Sequence, residues 1–139
     1  MKAYLGRRYR FSASHRLHSD AFNAQQNREI YGKCNNPHGH GHNYTLDVLL
    51  SGQVNRYGMV CDLAELDEFA KREVVQRFDV ANLNLDRAFE NVVPTTENLG
   101  VLIHRRLREK WGATFPGEWP ALEKVRIAET ERNIFEVRT

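Results

Sequence analysis

His40-Gly41-His42-Asn43-Tyr44-Thr45-Leu46-Asp47-Val48-Leu49-Leu50 decides the fold class. Tyr44, Leu46, Val48 and Leu50 share one parity. Residues two apart on an extended chain point the same way, so the stretch reads as a strand with one buried face. Ser51-Gly52 ends it, and Tyr57-Gly58 marks a further turn.

Working outward, an earlier strand runs from about Ala3 to Ser14. Leu5, Tyr9, Phe11 and Ala13 share its parity, and His15 continues that parity at its end. Between the strands, Arg16 to Gly39 reads as a long polar loop containing Asn23, Gln25, Gln26, Asn27, Asn35, Asn36 and Pro37. Structureless loops of this length tend to be functional.

Downstream, Asp62 caps a helix, with Glu65 three residues on in the manner of a capping box. Leu63, Leu66, Ala70 and Val74 form its apolar stripe. A second helix begins near Thr95-Thr96, just after Pro94, with Leu99, Leu102, Ile103 and Leu107 as its stripe. His104 falls on its polar side and reads as solvated. Lys124–Thr130 and Ile134–Arg138 close the chain as a hairpin around Glu131-Arg132-Asn133. The order β-β-α-α-β-β implies an α+β fold: a four-stranded antiparallel sheet with two helices on one face. The other face is left bare in a monomer, which predicts a homo-oligomer.

The 139 residues suit a single domain spanning 1–139. With 20 basic and 18 acidic residues, charge gives no argument for a nucleic-acid or membrane partner. No apolar run reaches the ~18 residues of a membrane span, and no signal peptide opens the chain. Cys34 and Cys61 are too few for a secreted disulfide framework, and a cytoplasmic protein is expected.

The chemistry gathers at His38-Gly39-His40-Gly41-His42. His40 and His42 project to one side, and the glycine between leaves room for an ion. His15, ending the neighbouring strand, supplies a third nitrogen. Three protein ligands with an open fourth position are how catalytic zinc sites are built. An isolated His-x-His is more often a surface feature. The third histidine, the polar loop and a nearby thiol favour Zn2+ here. Cys34 is either a fourth ligand, closing the site, or a reactive thiol lowered in pKa by the cation. Its neighbours Lys33, Asn35 and Asn36 are polar, whereas Cys61 follows Met59-Val60 and reads as core.

With these residues in place, the chain resembles the 6-pyruvoyl-tetrahydropterin synthase family over nearly its whole length. The resemblance rests on Phe11–Leu17, Cys34–Tyr44, Gly58–Val60, Thr95–Asn98 and Glu129-Thr130. It implies the tunnelling (T-) fold, with trimers closing a β-barrel and two trimers stacking into a hexamer. His15, His40 and His42 look like the family's zinc ligands, and Cys34 looks like its catalytic thiol. Glu129 looks like the carboxylate that anchors the pterin, with Thr95, Thr96 and Glu97 resembling residues lining the pterin pocket. The implied reaction converts 7,8-dihydroneopterin triphosphate to 6-pyruvoyl-tetrahydropterin with loss of triphosphate. The Cys-x5-His-Gly-His spacing resembles the tetrahydrobiopterin branch rather than the 6-carboxytetrahydropterin synthases of queuosine biosynthesis.

One position departs from the pattern. The family places an Asp-His pair after the first helix, in which the aspartate orients a proton-transferring histidine. Here Asp79 is followed by Val80, which carries no proton. Acid–base groups are worth about 10²–10⁴-fold in rate. Three readings stand: His18 or His38 substitutes, Cys34 or water serves alone, or the chain binds zinc and a pterin without turnover. A side-chain-cleaving pterin lyase is a related alternative. Arg16, Arg28 and Lys33 are candidates by charge for holding the triphosphate.

Overall fold

The computed structural model describes residues 1–139. Two 14-residue strands, β1 (Lys2–His15) and β2 (His40–Gln53), pair antiparallel along their full length, from Lys2 opposite Gln53 to His15 opposite His40. The parities read from the sequence become the buried face: Phe11, Ala13, Tyr44, Leu46, Val48 and Leu50 are all core. Leu5 and Tyr9 pack against that core. β2 runs past Ser51-Gly52, because β1 pairs with it as far as Gln53, while β4 (Ala121–Ala128) pairs with it as far as Ser51. β5 (Ile134–Arg138) completes the expected terminal hairpin with β4.

The sheet has five strands rather than four, in the order β3 (Ala81–Asn82)-β1-β2-β4-β5. The added strand, β3, lies parallel to β1 opposite Ala13-Ser14. Two residues are too short for an alternation pattern to show in sequence. The fold class is nevertheless α+β as expected.

α2 (Leu63–Ala70) is capped by Asp62, whose side chain accepts from the Ala64 and Glu65 amides. It continues through a π-helical turn (Lys71–Val75) into α3 (Gln76–Phe78). α4 (Thr96–Thr114) is capped by Thr95. The predicted stripes of both helices are buried apart from half-buried Leu63. α4 lies close on the terminal hairpin at Gly100, where a Cβ would stand 2.7 Å from Phe135.

Two expectations are corrected. The stretch from Arg16 to Gly39 contains α1 (Ala24–Tyr31) and a 3-10 turn at Gly32–Asn35. Its helical signal is a capping box in amide form: Asn23 accepts from the Gln26 amide while Gln26 reaches back to the Asn23 amide. The polar residues of Ala24–Tyr31 give no apolar stripe to disclose it. His104 is not solvated. It is 7% exposed, with Nε2 3.0 Å from the Thr139 hydroxyl, which the pairing of β4 with β5 brings against α4. Burial lowers its pKa.

The open face of the sheet is charged rather than apolar. Arg8 pairs with Asp47 at 2.7 Å, and Glu136 holds Lys124 at 2.9 Å and Arg138 at 3.1 Å.

Candidate metal centre

The β1–β2 register assembles the centre. His15 stands directly opposite His40, and Ala13 opposite His42, so three imidazoles meet on the helix-covered face. His42 Nε2 lies 3.1 Å from both His15 Nε2 and His40 Nε2. His40 Nε2 is 3.2 Å from Cys34 Sγ. The four ligand atoms all lie within 4.8 Å of one another. Imidazole nitrogens at about 2.0–2.1 Å from a tetrahedral zinc would stand roughly 3.3 Å apart. The spacing therefore suits one shared ion.

The proton inventory makes the same point. The Pro94 carbonyl can only accept, so His15 Nδ1, 2.9 Å away, donates to it. That leaves the His15 Nε2 lone pair facing the cluster. Burial lowers the pKa of His15 and of His42, which favours the neutral, ligating form. Into this group of lone pairs comes Glu129 Oε1, 3.3 Å from His15 Nε2 and 3.1 Å from His42 Nε2. The Glu129 side chain is only 10% exposed. Its facing oxygen and the His15 lone pair both accept, so no hydrogen bond joins them when the imidazole is neutral. A cation between them removes the conflict.

Gly39 permits the approach. Its φ is +71°, and a Cβ there would lie 2.8 Å from the His15 carbonyl oxygen. Gly39→Ala is expected to cost about 1–3 kcal/mol of stability. A denaturant-unfolding midpoint equal to that of the parent chain would show that this contact is dispensable.

Cys34 arrives from the 3-10 turn. Its carbonyl accepts from the Leu17 amide at 2.7 Å, and Asn35 Nδ2 donates to the Leu17 carbonyl at 2.7 Å. These bonds pin the turn to the chain leaving β1. Without a cation, burial and then the Glu129 charge push the Cys34 thiol upward. His38 is exposed and outside the cluster, and Cys61 is buried in the core.

Glu129 continues the inward parity of Val125 and Ile127, one step past β4. Asn133 Nδ2 donates to its second oxygen at 2.8 Å, and lies 3.4 Å from the Thr96 hydroxyl. Thr96 is buried, Thr95 is half-buried as the cap of α4, and Glu97 is exposed on the first turn. Sequence reasoning does not single out Tyr44, Pro94 or Asn133 for the site. Tyr44 OH lies 3.3 Å from His15 Nδ1. The cross-strand pairing that puts such groups in reach has no local signature.

Asp79 does not face the histidines. Its carboxylate accepts from the Ser12 amide at 2.9 Å, while the Val80 amide donates to the Ser12 carbonyl at 2.6 Å. The pair fastens the β3 segment to β1. Val80 is 88% exposed and has φ 54°, the left-handed region that a β-branched residue rarely occupies. It lines a cavity of about 460 Å³ that also reaches His42. Left-handed backbone costs an L residue roughly 1–2 kcal/mol, and asparagine tolerates it better. Val80→Asn is therefore expected to raise the melting temperature by about 3–5 °C. An unchanged or lower melting temperature would count against strain at this residue.

Comparison with known proteins points the same way. The family model described as 6-pyruvoyl tetrahydropterin synthase matches residues 4–139. The chain is 40% identical over 135 residues to the human 6-pyruvoyl tetrahydrobiopterin synthase, covering 96% of this chain and 89% of that one. It is 42% identical over 138 residues to the Drosophila melanogaster protein of the same name, covering 98% and 79%. The structure of Caenorhabditis elegans 6-pyruvoyl tetrahydropterin synthase superposes with a TM-score of 0.86 at 38% identity, covering 100% of this chain and 96% of that one.

Proposed function

The chain belongs to the 6-pyruvoyl tetrahydropterin synthase family, and from that premise we propose that it is a zinc-dependent carbon–oxygen lyase acting on a phosphate ester. Its substrate in this reading is 7,8-dihydroneopterin triphosphate, and its products are 6-pyruvoyl-tetrahydropterin and triphosphate. The observation that carries the reading is the convergence of three imidazole nitrogens, a thiol and a carboxylate oxygen at 3.1–3.3 Å. The three imidazoles fit one cation, with a proton-transfer group and a substrate-anchoring carboxylate beside it.

His15, His40 and His42 hold the zinc. Bound there, it supplies Lewis acidity that makes protons next to the side-chain hydroxyls easier to remove. Cys34, as thiolate, takes such a proton, and the Leu17 and Asn35 bonds keep its sulfur in place. Glu129 accepts two N–H groups from the pterin edge, a pairing for which a carboxylate is well shaped. Asn133 orients it. In this reading Thr95, Thr96 and Glu97, at the start of α4, line the pterin pocket. Asp79 acts at a distance, by holding the segment that carries Val80.

The same reading makes the protein a homo-oligomer of two stacked trimers. Leu85, 83% exposed, supports burial against another chain. So do the unpaired outer edges of β3 and β5. Light scattering that returned the mass of one chain would exclude assembly. No helix is long and apolar enough to cross a membrane. The free thiols of Cys34 and Cys61 support a cytoplasmic setting.

The deciding experiment incubates the zinc-loaded protein with dihydroneopterin triphosphate and separates the products. Pyruvoyl-pterin with triphosphate is expected. Carboxy-pterin with acetaldehyde would instead place the chain with the 6-carboxytetrahydropterin synthases. Pterin binding without turnover would favour a binding protein, the reading to which Val80 lends weight.

A further inference from the structure

Arg16, Arg28 and Lys33 are 17 residues apart in sequence at their extremes, yet they line one cavity of about 510 Å³. Each reaches it by a different route. Arg16 follows the last residue of β1, its amide held by Asn84 Oδ1 at 2.7 Å. Arg28 sits in the last turn of α1. Gly32, with φ 55°, then bends the chain so that Lys33 follows on the 3-10 turn. His18 and Asn35 share the wall, and no carboxylate lines it.

These three cations are unpaired. Arg7, Arg8, Arg77, Arg106 and Arg138 are each held by a carboxylate at 2.7–3.2 Å. Arg16, Arg28 and Lys33 have no such partner. The Arg16 guanidinium is steered only by the Asn35 carbonyl, 3.4 Å from Nε, which leaves its outer N–H groups free. An acidic neighbour, Asp20, stands 3.3 Å from His18 but is fully exposed. The cavity also touches the metal cluster directly, since His40 belongs to both. Two guanidinium forks and an ammonium with no competing carboxylate are chemistry for phosphate oxygens.

We propose that this cavity, walled by Arg16, Arg28 and Lys33 beside His40, is an oligophosphate subsite that holds the triphosphate tail of the substrate. The inference rests on the functional reading above for the identity of that tail. The pterin, anchored by Glu129 beside His15 and His42, and the tail, held by the cations beside His40, would then meet at the histidine cluster. Cys34, between Lys33 and Asn35, stands at the junction.

The test measures binding of dihydroneopterin triphosphate and of dihydroneopterin, which lacks the tail, to the zinc-loaded protein. Arg28 and Lys33 are exposed, so their substitution spares the core. Charge-assisted hydrogen bonds are each worth about tenfold or more in affinity. Arg28→Glu with Lys33→Glu is expected to weaken the triphosphate ligand by about 100-fold or more and the tail-free ligand by less than about twofold. Arg28→Gln with Lys33→Gln should give a smaller loss in the same direction. Lys110→Glu, an exposed cation outside the cavity, should change neither. Equal weakening of both ligands, no weakening of either, or the same loss in Lys110→Glu would overturn the subsite. If the parent chain binds the triphosphate form more tightly, and loses that preference on charge reversal, yet turns nothing over, the subsite stands and the proposed reaction falls. Turnover with an affinity indifferent to these cations would do the reverse, keeping the reaction and removing the subsite.

Discussion

Replacing His40 with alanine is expected to abolish stoichiometric zinc binding and reduce turnover to background, with little change in the fold. His40 opens β2 and is only half-buried, so its side chain contributes little to the core. Its Nε2, by contrast, lies 3.1 Å from His42 Nε2 and 3.2 Å from Cys34 Sγ, at the middle of the donor set. Changing a residue that merely supports a zinc ligand commonly costs 10–100-fold in affinity, so losing a ligand should cost more than about 100-fold. A ligand present at 100 times its Kd stabilises the native state by about 2.7 kcal/mol. The parent chain should therefore melt several degrees lower after chelation, and His40→Ala should melt at the same temperature with or without chelator. Metal analysis is the direct check. One zinc per chain in His40→Ala would mean that the ion sits elsewhere.

Cys34→Ala has the second largest expected effect, and it separates two roles that sequence alone leaves open. The structure keeps the thiol beside the histidine cluster, 3.2 Å from His40 Nε2. A closed four-ligand site and an open site with an adjacent base both fit that distance. As a base, Cys34 should be worth about 10²–10⁴-fold in turnover, and its loss should leave zinc content unchanged. As a structural ligand, its removal should release zinc and lower the melting temperature. We expect the first result. The companion substitution Val80→His asks whether the thiol works alone. A sharp rise in turnover would show that the histidine position still faces the reacting side chain, whereas stability alone should rise if only backbone strain is relieved.

How far the sequence is legible depends on how local each signal is. Alternation along Tyr44–Leu50 and Leu5–Ala13 states the central hairpin, because burial of one sheet face demands period two. Helical stripes and the Asp62 and Thr95 caps state α2 and α4. α1 escapes because its cap uses Asn and Gln and its faces are polar. β3 escapes because it exists only through what β1 offers it. His104 reads as solvated because the residue that covers it lies 35 positions away.

The three clustered histidines are within reach of sequence reasoning because they sit at the ends of two strands that have to pair. Residue type, parity and strand order are enough to bring His15, His40 and His42 together. Tertiary structure alone decides what surrounds them. It turns the Glu129 carboxylate onto the imidazoles, sets the Pro94 carbonyl against His15, and folds Arg16, Arg28 and Lys33 around one cavity. It also gives Asp79 a backbone to hold and Val80 a left-handed φ. The physical reason is the range of the forces that fix each feature. Periodicity and capping are settled within a few residues of chain, whereas a proton's partner or a cation's freedom depends on groups that meet only once the core has closed.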